Sequence, residues 1–214
     1  MYTDILNHIG SHCQALDRKP PVLVAVSKTQ PNEAVEEVLK QGHRIFGENR
    51  VQEAAGKWPD FRAQYGAVEL HLLGPLQTNK VKQALDLFDV LHSLDRIKLA
   101  RKIADEAQSR GKCPDLFVQV NIGKEPQKAG VSIEDLPSFL DECRLMSLPI
   151  IGLMCIPPAV ADPRQYFQQL RELASVHGID GLSMGMSGDY LVAIEEGATH
   201  IRVGSAIFGA RDYS

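Results

Sequence analysis

The sequence predicts an α/β protein: a closed (β/α)8 barrel, the TIM barrel, with an extra N-terminal helix, forming a single domain over residues 1–214. Three observations predict it. Short apolar runs alternate with amphipathic stretches along the whole chain, the pattern of parallel strands joined by helical crossovers. Eight such units fit into 214 residues, and barrels of this kind run as one domain of about 200–250 residues. No Gly-x-Gly-x-x-Gly or Walker pattern follows the first strand, which argues against a doubly wound open sheet.

Each unit is justified in turn. The extra helix is predicted over residues 3–16. Val22-Leu23-Val24-Ala25-Val26 is continuously apolar, as a strand buried on both faces must be. A helix over 32–41 follows, with Ala34, Val35, Val38 and Leu39 on one face, and Gly42 closes it. The second strand covers 44–49, with a helix from about Arg50. The third strand covers 69–74, with a helix over 77–87; the fourth covers 90–93, with a helix over 95–108. The fifth covers 115–121 and its helix about 132–146; the sixth covers 150–154 and its helix about 163–176. The seventh covers 182–184 and its helix 189–196. The eighth covers 200–203, ahead of a short helical segment at 206–210.

Composition narrows the function. Net charge is −4, from 23 Lys+Arg against 27 Asp+Glu, so there is no basic field for nucleic acid. Cys13, Cys113, Cys143 and Cys155 form no Cys-x-x-Cys pair, so neither a zinc site nor a disulfide framework is indicated, and inert thiols in a reducing cytoplasm are expected. The N-terminus carries no secretory signal pattern, and no apolar run approaches the roughly 20 residues of a membrane helix. A cytoplasmic protein without nucleic-acid or membrane partners is therefore expected.

In a (β/α)8 barrel the site lies at the C-terminal ends of the strands. Lys28 follows directly on the apolar first strand. Partly desolvated in a barrel mouth, its amine can form a Schiff base with an aldehyde; position alone equally allows a solvated lysine. The loops after strands 7 and 8 often hold phosphate. Here they carry Ser187-Gly188-Asp189 and Gly204-Ser205, small residues that let backbone N–H groups approach an anion, or that merely cap helices. Arg202 interrupts the apolar Ile201-Arg202-Val203 and, if buried, needs a partner. That partner is either an acidic side chain or the ring nitrogen of pyridoxal 5'-phosphate (PLP), for which arginine is a usual counterpart. An aldehyde-reactive lysine, two phosphate loops and a ring-facing arginine together describe a PLP site.

At these residues the chain resembles the YggS/PROSC family of PLP homeostasis proteins, built on the alanine-racemase-type barrel. The motifs are Val24-Ala25-Val26-Ser27-Lys28-Thr29, Phe46-Gly47-Glu48-Asn49-Arg50-Val51-Gln52-Glu53 and His71-Leu72-Leu73-Gly74-Pro75-Leu76-Gln77-Thr78-Asn79-Lys80. Val118-Gln119-Val120-Asn121, Gly152-Leu153-Met154, Leu182-Ser183-Met184-Gly185-Met186-Ser187-Gly188-Asp189 and Ile201-Arg202-Val203-Gly204-Ser205-Ala206-Ile207-Phe208-Gly209 follow. The resemblance implies a Schiff base on Lys28, Asn49 near the ring's 3-oxygen and Arg202 at the ring nitrogen. It implies Ser187, Gly204 and Ser205 around the phosphate, with Met184 and His71 lining the pocket. It also implies a carrier rather than an enzyme, a monomer or weak homodimer, with apo PLP-dependent enzymes as partners that receive PLP.

Two enzymatic alternatives stay open. A PLP-dependent amino-acid racemase needs bases on both faces of the substrate; in the racemases that resemble this barrel the second is a tyrosine from a further β domain. This chain ends at Ser214, with Tyr213 expected in a surface tail. A Schiff-base aldolase acting on a phosphorylated substrate would also use a lysine and a phosphate site, but it leaves Arg202 without a ring nitrogen. Lys80 and Lys124 are read as solvated surface.

Overall fold

The computed structural model describes residues 1–209; Tyr213 and the end of the last predicted helix at Ala210 lie outside them. Eight parallel strands close in sequence order, with β1 (Val22–Val26) completing the ring beside β8 (His200–Val203). Between them come β2 (Ile45–Glu48), β3 (Glu69–Leu72), β4 (Val90–Leu94), β5 (Asp115–Gln119), β6 (Ile150–Met154) and β7 (Gly181–Ser183). The barrel expected from the alternation is therefore the one formed.

The helices pack outside this ring. α1 (Tyr2–Ala15) is the predicted extra helix, and it buries Tyr2, Ile5, Ile9 and Cys13 along one face. α2 (Asn32–Lys40) likewise buries Val35, Val38 and Leu39. Three expectations change. The helix predicted from Arg50 is two helices, α3 (Val51–Ala55) and α4 (Trp58–Tyr65), broken at Gly56-Lys57, where Lys57 takes a non-helical part in a buried cluster. The segment over 77–87 begins as a 3-10 turn before α5 (Val81–Leu87). α6 (Ile97–Arg110) lies two residues later at each end than the predicted 95–108. α7 (Leu136–Leu145) starts four positions after Ser132, because Ser132 first closes a turn by accepting from the Asp135 N–H at 3.0 Å. α8 (Pro163–Val176), α9 (Tyr190–Glu195) and α10 (Ser205–Phe208) complete the ring. Asp162 caps α8 by accepting from the Arg164 N–H at 3.0 Å.

Side chains alternate between two cores, since successive strand residues face opposite ways. Outward residues such as Leu23, Ala25, Leu70, Leu72, Leu182 and Ile201 join the large core under the helices. The barrel interior is small and partly polar: Val90, Phe117 and Met154 pack there with His71, His92 and His200. Gly152 admits the Phe117 ring, because a Cβ at that position would lie 2.2 Å from its Cε1. No helix among the described residues is long and apolar enough to cross a membrane.

Candidate functional site

Strand parity delivers the lysine. Leu23, Ala25 and Ser27 share one face of the β1 ribbon, and Val24, Val26 and Lys28 the other. Ser27 is fully buried and turned away from the barrel axis, so the next residue is directed into the mouth. Thr29 holds a left-handed backbone at φ 58°, and its N–H donates to Glu53 Oε1 at 2.5 Å. A β-branched residue in that region is strained by about 1–3 kcal/mol, so the turn carrying Lys28 is fixed by its surroundings rather than by local preference.

Lys28, Asn49, Ser187, Arg202, Gly204 and Ser205 line one pocket of about 250 Å³ at the C-terminal mouth. Val26, Leu73, Met154 and Ile156 form its apolar wall. Asn49 is held in place by the loop after β3: a Cβ on Gly74 would sit 2.2 Å from the Asn49 carbonyl oxygen, so only glycine permits this approach. At one end the loops after β7 and β8 meet. The N–H groups of Gly204 and Ala206 both donate to Ser187 Oγ, at 3.2 and 3.3 Å. Hydroxyls and backbone donors thus gather where the sequence placed an anion. A surface groove of about 820 Å³ beside α6 and Met146 is larger, but none of the predicted residues lines it.

Arg202 is 5% exposed and lines the same pocket. Its Nη1 donates to Ser183 Oγ at 2.7 Å and its Nη2 to the Cys155 carbonyl at 2.9 Å. Burial works against its charge and pulls its pKa below the ordinary value, with nearby Cys155 and Asp189 opposing the shift. Both acceptors are neutral, so the buried ion pair considered from sequence is not what holds this guanidinium. Cys155 contributes its carbonyl only, since burial pushes its thiol up to about 12. Burial raises Cys13, Cys113 and Cys143 as well, so these thiols are poor nucleophiles.

Two implied pocket residues lie elsewhere. Met184 is fully buried in the core under the helices. Ser183 takes the inward position, so the following side chain must turn out; Met154 and Met186 line the pocket instead. His71 does not line the pocket either. It lies within the barrel, with His92 Nε2 2.9 Å from its Nδ1. Lys124 pairs with Glu134 at the surface at 2.6 Å, as a solvated lysine does, whereas Lys80 is half-buried beside Arg50 and Arg96 in a neighbouring cleft.

A supporting cluster was not foreseen. Glu48, with no exposure, accepts at Oε1 from Ser27 Oγ (2.8 Å), Lys57 Nζ (3.0 Å) and Trp58 Nε1 (3.0 Å). Lys57 Nζ also donates to the Ser27 carbonyl at 3.1 Å. The cluster therefore clamps the backbone directly before Lys28. The available signal is a charged residue ending an apolar strand, but its donors come from two other segments, Ser27 and Lys57-Trp58.

The sequence matches the family described as "Alanine racemase, N-terminal domain" over residues 6–212. It is 41% identical to the pyridoxal phosphate homeostasis protein of Vibrio alginolyticus over 90% of this chain and 87% of that one. The corresponding protein of Pseudomonas aeruginosa is 41% identical over 96% and 92%. Among solved structures, PipY of Synechococcus elongatus PCC7942 with PLP bound superposes with a TM-score of 0.81 at 37% identity, covering 94% of this chain and all of that one. With the barrel, the mouth pocket and these likenesses together, the chain belongs to the YggS/PROSC family of pyridoxal phosphate homeostasis proteins, on the alanine-racemase N-terminal-domain fold.

Proposed function

We propose that this chain binds PLP in the mouth pocket, holds it as a Schiff base on Lys28 and serves intracellular PLP homeostasis without sustained turnover. One observation carries the reading: an amine, a buried guanidinium and a hydroxyl-rich anion end converge on one small cavity. The residues fit the group. A volume of about 250 Å³ lies near the lower end of small-molecule pockets, roughly 300 Å³, and suits a single ring rather than a dinucleotide. When bound, PLP supplies an aldehyde for an amine and an electron-accepting ring. Lys28 would provide the amine, Arg202 a donor toward the ring nitrogen, Asn49 a donor toward the 3-oxygen, and Ser187, Gly204 and Ser205 the phosphate contacts. An arginine there leaves the ring nitrogen without a proton, which weakens the electron sink and favours holding over turnover.

The racemase reading lacks support at the pocket. Of its described lining residues, Lys28 can act as a base and Arg202 cannot, because a guanidinium stays protonated. Two-base chemistry needs one more group. The aldolase reading gives Arg202 nothing to face. Transfer of PLP to apo enzymes, a cytoplasmic location and a monomer or weak homodimer belong to the same proposal; the relatives' names support the homeostatic role, and free cysteines accord with a reducing compartment.

The test separates the phosphate from the ring. Replacing Ser187 and Ser205 together by alanine is expected to weaken PLP retention at least roughly tenfold, since each hydrogen bond to a charged group contributes about 1.5–3 kcal/mol. Uptake of phosphate-free pyridoxal should be unchanged. Equal PLP retention in the double variant, read from visible absorbance during dialysis, would place the phosphate elsewhere.

A further inference from the structure

A line of hydrogen bonds runs inside the barrel from one end to the other. Glu69 opens β3 at the N-terminal rim, and its side chain is 47% exposed. Its Oε1 lies 2.7 Å from His71 Nε2; both residues face inward because they are two positions apart on one strand. His71 Nδ1 lies 2.9 Å from His92 Nε2, and His92 Nδ1 lies 2.8 Å from Ser183 Oγ. Ser183 Oγ in turn accepts from Arg202 Nη1 at 2.7 Å. Four contacts therefore connect a carboxylate at the bottom of the barrel to the guanidinium of the pocket.

The two ends fix the direction of the outer links: a guanidinium can only donate and an ionised carboxylate only accept, so Ser183 accepts from Arg202 and Glu69 accepts from His71. In the arrangement that gives each inner bond one hydrogen, Ser183 donates to His92 Nδ1. Burial, with His71, Arg202 and His200 nearby, holds the His92 pKa well below the ordinary histidine value, so His92 is neutral. Its proton must then sit on Nε2 and point to His71 Nδ1. His71 Nε2–H donates to Glu69, an acceptor that this hydrogen bond keeps ionised. Among the described residues, the acceptors of Arg202 are neutral, so this chain supplies a route to a counter-charge, each bond polarising the next.

We propose that Glu69, His71, His92 and Ser183 are positioning residues: an oriented hydrogen-bond chain through the barrel that holds Arg202 in place and tunes its hold on the PLP ring from the opposite face of the fold. The inference rests on the assignment of the mouth pocket to PLP. It assigns to the interior histidines a role other than pocket lining. The geometry suits this role better than metal binding, because the facing nitrogens of His71 and His92 are already paired with each other, and no metal-holding cluster occurs among the described residues.

The experiment has a ligand-free arm and a loaded arm. In the ligand-free protein, ¹⁵N NMR of the histidine rings should show His92 as a neutral Nε2–H tautomer and a proton on His71 Nε2. A proton on Nδ1 of either ring at neutral pH would overturn the chain. In the loaded arm, PLP dissociation and the visible spectrum are followed in Glu69→Leu, Glu69→Gln, Ser183→Ala and the Glu69→Leu/Ser183→Ala double variant. Coupled polar networks lose about tenfold when a link is cut. PLP dissociation is accordingly expected to quicken about tenfold, with a shifted absorbance maximum, in Glu69→Leu and Ser183→Ala. Glu69→Gln, which keeps an acceptor oxygen, should lie between Glu69→Leu and the natural chain. Once Ser183 is alanine, Glu69→Leu should add nothing. Wild-type spectra and dissociation in Glu69→Leu, or additive effects in the double variant, would overturn the proposal while leaving PLP binding intact. Failure of the natural chain to take up PLP would instead remove the reading of the pocket, and the NMR arm would still decide the chain.

Discussion

Glu48→Leu is expected to destabilise the protein by about 3–5 kcal/mol, the usual loss when one partner of a buried ion pair is removed. The magnitude follows from what stays behind. The Lys57 ammonium, 8% exposed, would lose its 3.0 Å contact and keep the Ser27 carbonyl at 3.1 Å, with the more distant Glu53 Oε1 at 3.7 Å as its remaining charged partner. Ser27 Oγ and Trp58 Nε1 would be left as buried donors without their acceptor. Glu53, 26% exposed, can move closer, which sets the loss toward the lower end, about 3 kcal/mol. Adding Lys57→Met should recover most of it, since removing both charges leaves neither desolvated. Denaturant unfolding measures both variants. A loss below about 1 kcal/mol in Glu48→Leu would show that the cluster behaves as an exposed pair. Because Lys57 also holds the Ser27 carbonyl, slower PLP uptake should accompany the loss.

Gly152→Ala should destabilise by about 3 kcal/mol, the upper part of the usual overpacking range of 1–3 kcal/mol. The added Cβ would overlap Phe117 Cε1 at 2.2 Å and the Gly181 carbonyl oxygen at 2.7 Å. The ring has little room to retreat, being stacked on His92 with centroids 4.4 Å apart and set edge-on against His200 at 4.9 Å. Phe117→Leu should relieve part of the clash, so the double variant should be more stable than the sum of the single effects predicts. Strict additivity in thermal or denaturant unfolding would mean that the strain lies in the backbone contact with Gly181 instead.

The alternation of apolar runs and amphipathic stretches was enough for the barrel, because each strand and helix carries its own local pattern. Boundaries failed where a side chain had a distant task. Lys57 leaves the helix register to reach Glu48, and Ser132 delays α7 by closing a turn. The pocket was legible for the same local reason: Lys28, Ser187, Arg202, Gly204 and Ser205 all stand at strand ends, where this fold builds sites. Met184 was misplaced because resemblance supplied the motif but not the parity, and Ser183 beside it takes the inward position. The chain from Glu69 to Arg202 was not legible, since its members sit on β3, β4, β7 and β8 and meet only after the barrel closes.

The same closure fixes in advance the groups proposed to hold the cofactor. The turn bearing Lys28 is fixed from outside by Glu48 and Glu53, and Arg202 is fixed from within by Ser183 and Cys155. Neither group has to be ordered when a ligand arrives, which reduces the entropic cost of binding. Borohydride reduction of the PLP-loaded chain, followed by peptide mass mapping, tests the central claim most directly. The reduced adduct is expected on the peptide containing Lys28, and its loss is expected in Lys28→Ala. An adduct confined to another lysine, such as Lys80, or a natural chain that takes up no PLP, would contradict it.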